Sequence, residues 1–537
     1  MEESNHENSG AFAVNNSTSL ARVVVRQIIE AGITDVVISP GSRNAPLSLA
    51  FFEASQESLI KVHIRIDERT AAFFALGIIK ATGRPVPVVC TSGTAVANYH
   101  PAVLEASHTN APLLVLTADR PAMLRKTGAN QTTEQARIFG KAVRYFADID
   151  GPVYPMELPL DSLRTGPVHL NLQFDEPLLS DDSSNWLSEV NVAPKEFVPR
   201  TKPGTLRLVG ARGVVVIGHD RGGLTVAEIT KFTKTLGWPV IAEDPLSFPD
   251  AVAHASIFLA SPEIRSTLIP QSVLIIGRTT LSRSINAFIK SSPISYVVDQ
   301  RLATVDTDRQ ADRKFTELPV LQGVIQSDEW IAKWTKVSER AQKLVASLDG
   351  WNEAVIARTI AAAIPNETAL FVSSSRPIRD LEGFAAPRTG VDVYANRGLA
   401  GIDGNISTAL GIAYAHKATI AVLGDLSFLH DLTGLVNKEA INCRFIVINN
   451  DGGGIFSTLP QRGVNGFETV FGTPHGLNPA AIAQAMGVDA KQISSLKELE
   501  SEIKAPISSI SVVVCDVPGR ESNADNLKAI YDSLSSI

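Results

Sequence analysis

Cysteine is scarce: Cys90, Cys443 and Cys515 are the whole complement of 537 residues. None lies in a CxxC or Cys/His spacing, which argues against a zinc site or a disulfide framework and fits a reducing cytoplasm. No apolar run reaches the roughly 20 residues that a membrane helix needs. The N-terminus MEESNHENSG lacks a basic n-region and an apolar h-region, so no secretory signal is expected. Positive charge is not in excess either. Lys and Arg number 49 against 56 Asp and Glu, a net charge of -7, which argues against general nucleic-acid binding while allowing local basic pockets. There is no short-period repeat. There is also no GxGxxG strand–helix unit with a correctly placed downstream acid, so a nicotinamide dehydrogenase is disfavoured.

What is present is a long chain of ordinary globular composition, 44% hydrophobic and 20% charged. At roughly 100–200 residues per domain it should form about three domains. Residues 1–17 are polar and read as a disordered tail. An amphipathic helix follows from Leu20 through Ile29, with Gly32 ending it. Then a grammar repeats: DVVISPGSRN, VHIRIDERT, PVPVVCTSGTA and APLLVLTADRP are short apolar runs that break into turns and lead to helices. Apolar strands alternating with helices predict a parallel α/β sheet. Residues 176–211 carry prolines and little periodicity and read as a linker. A second series follows (GVVVIG, WPVIAED, VLIIGRT, SYVVDQR), then a helical, mostly solvent-facing connector over 326–358, then a third series (ALFVSSS, DVYANRG, TIAVLGD, RFIVINN, ISVVVCD). The expected fold is α/β, with three doubly wound parallel-sheet domains at 18–185, 205–345 and 358–537. A common ancestry of blocks one and three stays open.

Ligands of open α/β sheets bind at the carboxyl ends of strands. The unusual residues cluster there. Gly424-Asp425 ends one strand, and Asn449-Asn450 ends the next, with Asn450 lying 25 positions after Asp425. DLTGLVNKEAIN between them fits a crossover helix, which sets Asp425 and Asn450 side by side. The Asp425 carboxylate, the Asn450 amide oxygen and a backbone carbonyl near Gly452 are hard oxygen donors suited to Mg²⁺, with Mn²⁺ an alternative. Gly424 permits close backbone approach, and the helix after Asp425 offers N–H groups to a diphosphate. The competing view makes Asp425 a helix N-cap and NNDGGG a glycine-rich turn. Likewise Glu68, after IRID, is either a helix-start carboxylate favoured by the macrodipole or a catalytic acid.

Together these segments resemble the thiamine diphosphate enzymes, whose GDG…NN signature matches here except that Leu426 takes the third position. Glu68 resembles their activating glutamate, which hydrogen-bonds an aminopyrimidine ring nitrogen so that the exocyclic nitrogen can take the thiazolium proton. TSGTA at 91–95 lies where that superfamily has its counterpart. The resemblance implies sites shared between subunits, hence a homodimer or homotetramer.

A closer resemblance spans essentially the whole chain. SPGSRNAPLSLAF, IDERTAAFFALG, TSGTAVANYHPAVLEA, LTADRP, GANQT, NRGLAGIDG, GDLSFLHDL and NNDGGGIFSTLPQ are similar to the 2-succinyl-5-enolpyruvyl-6-hydroxy-3-cyclohexene-1-carboxylate synthases of menaquinone biosynthesis. That family decarboxylates 2-oxoglutarate on thiamine diphosphate and adds the succinyl carbanion equivalent to isochorismate. Both substrates are polyanions, and arginines at strand ends suit planar, bidentate carboxylate recognition. By the resemblance, Arg379 and Arg397 hold the distal carboxylate of the 2-oxoglutarate-derived unit. Ser42, Arg43, Arg120 and Gln131 meet isochorismate, joined by Arg283 of TTLSRSINAF, where Ser282 replaces a Lys of some relatives. Gly424, Asp425, Leu426, Ser427 and Asn450 surround the diphosphate and metal, and Ser375 lies near the cofactor. Ile402 holds thiamine bent, with Ile455 and Phe456 lining the same cleft. His100 and His108 read as structural. His430 follows the diphosphate loop, and His475 belongs to a loop, FGTPHGLNP, that closes over the site. The alternatives are another thiamine carboligase or 2-oxoacid decarboxylase, such as an acetohydroxyacid synthase relative, and an anion-binding regulator without chemistry.

Overall fold

A computed structural model describes residues 15–151, 156–182, 184–188, 190–197, 201–301, 310–437 and 439–535. The described chain divides into two compact units, the first ending at 197 and the second formed chiefly by everything after it. Most of the expected N-terminal tail lies outside the described residues, but its end does not. The first helix is Asn16–Glu30, four residues longer at its start than apolar periodicity suggests, because the Asn15 side chain caps it by accepting from the Thr18 N–H. Its stripe of Leu20, Val24, Val25, Ile28 and Ile29 enters the core of the first unit.

That unit carries strands β1 (Asp35–Ile38), β2 (Lys61–Ile64), β3 (Val86–Cys90), β4 (Leu113–Asp119), β5 (Tyr145–Asp150) and β6 (Val168–Gln173). They form one sheet in the order β2-β1-β3-β4-β6-β5. The second unit holds β7 (Thr205–Arg207), β8 (Gly213–Ile217), β9 (Val240–Ala242), β10 (Ser272–Ile276), β11 (Ser295–Val298), β12 (Arg313–Phe315) and β13 (Val320–Gln322), followed by β14 (Thr368–Val372), β15 (Val391–Tyr394), β16 (Thr419–Gly424), β17 (Cys443–Asn449), β18 (Asp489–Ile493) and β19 (Ser511–Asp516). Its sheets run β12-β11-β10-β8-β9 and β15-β14-β16-β17-β19-β18, with β13 and β7 paired separately. Every pairing is parallel. The α/β expectation therefore holds. The first and third sheets also share one strand order, each reading 2-1-3-4-6-5 when its own strands are numbered along the chain.

Three expectations need correction. The 176–211 segment is not simply a linker. Ala193 and Lys195 donate backbone N–H groups to Glu30 and Ala31, and Thr205–Arg207 is a strand. The connector is two helices, Asp328–Ser347 and Glu353–Ala363, rather than one run; the first is mostly solvent-facing as expected but buries one stripe. Trp330 and Trp334 are buried, and Trp334 sits edge-on to Phe258 and Phe288. The link between Asp425 and Asn450 is not one crossover helix but a short helix, Asp425–His430, and a 3-10 turn, Leu432–Leu435. The side-by-side placement survives, since Gly424 of β16 pairs with Ile448 of β17.

Candidate active site

At the carboxyl end of the third sheet, Asp425 is 2% exposed and Asn450 is 8% exposed. One Asp425 oxygen accepts the Gly452 N–H at 2.8 Å and the other accepts the Leu426 N–H at 2.7 Å. Burial pushes the Asp425 pKa up, and these donors pull it back toward the ionised form. Asn450 donates from Nδ2 to Glu353 Oε1 at 2.7 Å, while its Oδ1 is buried with no hydrogen-bond partner. A buried acceptor left open is costly unless something binds it. Gly452 has φ +128°, and a Cβ there would stand 2.1 Å from the Gly472 carbonyl oxygen. Only glycine serves at that position. Its carbonyl accepts the Gly454 N–H at 2.9 Å. A Cβ on Gly424, in contrast, would meet nothing within 4 Å, so that glycine leaves open space beside the strand end. A buried carboxylate, an open amide oxygen and a backbone carbonyl beside that space fit a divalent cation carrying phosphate oxygens. Among the described residues no cluster of three or more His, Cys, Asp or Glu could hold a metal.

His475, expected only as part of a loop over the site, packs against Asp425 itself. Its Nδ1 accepts the Leu477 N–H at 3.0 Å, which leaves the Nε2 proton to point at Asp425 Oδ2, 3.3 Å away. The loop is tied down by Asp451, whose Oδ1 accepts the N–H groups of His475 and Gly476. Gly453 also donates to the Gly472 carbonyl. Ser427 Oγ donates to the Ile402 carbonyl at 3.1 Å and accepts from Asn405, joining two of the expected cofactor residues. Ile402 is 37% exposed, and Ile455 and Phe456 lie half-buried in the turn Gly454–Thr458. His430 is exposed at the end of its short helix.

The same unit brings the two expected carboxylate-binding arginines together. Arg397, 2% exposed, pairs with Glu243, 1% exposed, at 2.9 Å. Glu243 also accepts backbone N–H groups from His219 at 2.9 Å and Leu281 at 3.3 Å. The Arg397 Nε is buried and has no partner. Burial lowers the Arg379 pKa, and the nearby charges of Arg376 and Arg397 lower it further. Arg379 donates to the Ser375 carbonyl at 2.5 Å, and Ser375 itself holds φ +76° at the head of the helix Arg376–Phe384. This is a crowded cationic patch. Its repulsion is relieved by Glu243, Asp380 and Glu382, which lie among these arginines, and by any anion that arrives. Arg283 is exposed at the first position of the helix Arg283–Lys290, capped by Ser282.

In the first unit, Glu68 opens the helix Glu68–Thr82, but the cap is supplied by Asp67, which accepts from the N–H groups of Arg69 and Thr70. The cap function is thus accounted for without Glu68. Its charge lies near two buried groups. The Cys90 thiol is pushed well up by burial and then by Glu68, and the Tyr99 phenol is raised by burial and by Cys90 and Glu68. The strand before it ends at Ile64, three residues short of the Asp67-Glu68 expected. Arg120 donates to Ser92 Oγ at 2.6 Å and to the Gln131 carbonyl at 2.7 Å, while Gln131 Nε2 donates to the Ser92 carbonyl. Gln131 has φ +53°. Burial lowers the Arg120 pKa, and the neighbouring Arg43 charge adds to the effect. Arg43 pairs with Glu176 at 3.3 Å and bonds the Phe174 carbonyl. Ser42 is exposed in the same turn. Four of the residues expected to bind isochorismate thus gather at neighbouring strand ends of one sheet. His100 packs edge-on to Phe139, consistent with a structural role, and His108 is exposed.

Three family models match the chain in succession: the thiamine pyrophosphate enzyme N-terminal TPP binding domain over 18–138, the middle domain over 180–372, and the C-terminal TPP binding domain over 381–517. Curated relatives include 2-succinyl-5-enolpyruvyl-6-hydroxy-3-cyclohexene-1-carboxylate synthases. That of Thermobifida fusca is 39% identical, covering 90% of this chain and 93% of the relative. That of Nocardioides is 38% identical, covering 93% and 95%. That of Staphylococcus aureus is 34% identical, covering 94% and 95%. The chain belongs to this synthase family. Among solved structures, benzoylformate decarboxylase from Polynucleobacter necessarius is similar in fold, with a TM-score of 0.65 at 15% identity, covering 94% of this chain and 99% of that one. As a synthase of this family the protein is a thiamine diphosphate enzyme, and the superfamily glycine replaced by Leu426 does not remove it from that class. Within the synthase, sequence motifs missed Glu243 and Glu353 and the direct partner of His475, because each reaches its partner across 50 positions or more.

Proposed function

We propose that this synthase decarboxylates 2-oxoglutarate and joins the remaining fragment to isochorismate, giving 2-succinyl-5-enolpyruvyl-6-hydroxy-3-cyclohexene-1-carboxylate for menaquinone biosynthesis. The observation that carries this, beyond family membership, is the cationic patch of Arg379 and Arg397. A pyruvate enzyme has no second carboxylate to place there. Thiamine diphosphate, when bound, supplies the electron sink for the decarboxylation. The protein's residues do the rest. Asp425, Asn450 and the Gly452 carbonyl hold Mg²⁺ or Mn²⁺, and through it the diphosphate. Gly424, Leu426, Ser427, Ser375, Ile402, Ile455 and Phe456 surround the cofactor. The Glu68 carboxylate would hold the proton that it shares with the aminopyrimidine nitrogen of bound cofactor. Arg379 and Arg397 grip the distal carboxylate, and Ser42, Arg43, Arg120, Gln131 and Arg283 receive isochorismate. A cytoplasmic homodimer or homotetramer is the expected working form. Among the described residues no helix is long and apolar enough to cross a membrane.

The purified protein with thiamine diphosphate, Mg²⁺, 2-oxoglutarate and isochorismate should consume isochorismate. No loss with either metal sinks the substrate assignment. Pyruvate turnover matching that of 2-oxoglutarate favours the carboligase alternative instead. Arg379→Ala should raise the KM for 2-oxoglutarate about 10–100-fold, the worth of a charged hydrogen bond. The KM for isochorismate should move far less, and equal shifts in both would refute the division of labour among the arginines.

A further inference from the structure

Glu353 belongs to no recognised motif and stands 97 positions before Asn450, yet it holds that side chain. It opens the helix Glu353–Ala363, whose cap is Asn352, so the helix cap does not depend on it. It is 9% exposed. Its Oε1 accepts the Asn450 Nδ2 proton at 2.7 Å, and its Oε2 lies 3.6 Å from Arg376 Nε. Arg376 is in turn bonded to buried Asp380. The carboxylate is thus fixed from behind by a charge pair and engages Asn450 in front.

An asparagine amide is close to symmetric in shape, so packing alone does not choose which end faces which way. Beside a carboxylate the choice is forced. The amide NH₂ makes a hydrogen bond to Glu353, whereas the flipped amide would press its oxygen against an anion. The Asn450 oxygen is then the end of the amide left free of Glu353, buried and without a hydrogen-bond partner, at the end of the strand next to the one that leads into Asp425.

We propose that Glu353 is a positioning residue that fixes the Asn450 amide with its oxygen toward the divalent cation. This rests on the reading of Asn450 as a cation ligand. Partners behind a ligand typically contribute 10–100-fold in metal affinity. Mn²⁺ binding to the full-length protein with thiamine diphosphate, followed by the EPR signal of free Mn²⁺, is the readout. Glu353→Ala should weaken Mn²⁺ about 10–100-fold, and Glu353→Gln, which keeps an acceptor oxygen for Asn450, should stay within about threefold of wild type. Asn450→Asp should bind Mn²⁺ poorly because its carboxylate meets Glu353. Adding Glu353→Gln to it should restore affinity, since the glutamine amide can donate. That pair carries the test if Glu353→Ala fails to fold. Asp425→Ala reports on the ligand set itself. If Asp425→Ala abolishes binding while Glu353→Ala binds as wild type, or if Glu353→Gln does nothing for Asn450→Asp, the positioning role is wrong. If Asp425→Ala also leaves binding unchanged, the cation reading fails, and the positioning role with it.

Discussion

Glu68→Gln should lower kcat by about 10²–10⁴-fold, the contribution of a well-placed proton-transfer group, without measurable loss of stability. Glutamine keeps the size of the side chain but cannot hold the proton that the aminopyrimidine must share. Stability should hold because Asp67, not Glu68, caps the helix at this point. Neighbouring Cys90 and Tyr99 are buried and already protonated, so removing the charge leaves no ionised group exposed to a new environment. The direct measurement is hydrogen–deuterium exchange at the thiazolium C2 carbon of bound cofactor, read by NMR. Exchange at the wild-type rate in the variant would end the catalytic assignment of Glu68. Slow exchange with unchanged cofactor affinity would separate activation from binding.

Arg397→Ala should be damaging twice over. It removes the arginine proposed to grip the distal carboxylate of 2-oxoglutarate, and it takes from Glu243, at 1% exposure, its directly bonded counter-charge, leaving only the nearby Arg379 charge. Breaking a buried pair from one side costs about 3–5 kcal/mol. The low end is expected here, since the His219 and Leu281 N–H groups still donate to Glu243. Denaturant unfolding should therefore show a clear fall in midpoint, with activity on 2-oxoglutarate reduced at least as much as in Arg379→Ala. The double variant Arg397→Met with Glu243→Leu separates the two effects. It should regain most of the lost stability and none of the activity. If the single variant unfolds at the wild-type midpoint, the pair adds nothing to the fold, and Arg397 serves substrate alone.

The strands that place the site were readable because parallel-sheet cores are nearly continuous apolar runs ending in turn residues, as at TIAVLGD and RFIVINN. Strand β5 escaped because YFADID alternates with charge at an edge of its sheet, where one side meets solvent. The helix Asp328–Ser347 reads as solvent-facing because charged and polar residues make up more than half of it. Two tryptophans nonetheless suffice to bury one stripe. Asp425 and Asn450 stood out by their spacing at two strand ends, and Glu68 by the resemblance of its surroundings to the thiamine diphosphate enzymes. Glu243, Glu353 and His475 did not, since a carboxylate or imidazole whose partner is remote leaves no local pattern. The adjacency of Asp67 and Glu68 was legible, but which of them caps the helix was not. That depends on a single extended backbone angle at Asp67.

The strand order common to the first and third sheets pairs off their loops. The turn Ser39–Asn44 after β1 answers to Ser373–Arg376 after β14, and Arg65–Glu68 after β2 answers to Ala395–Arg397 after β15. Thr91–Thr94 after β3 answers to Asp425–Ser427 after β16, and Arg120 after β4 answers to Asn450 after β17. One mould thus issues two castings, and equivalent seats have been given unlike tools. Glu68, proposed to work a proton, occupies the seat that in the third sheet holds Arg397, proposed to grip a carboxylate. For anyone re-engineering the enzyme, this offers a coordinate system. Loops exchanged between matching seats start from a stem of the same strand order and neighbours, so new chemistry can be tried in one sheet while the other keeps its own.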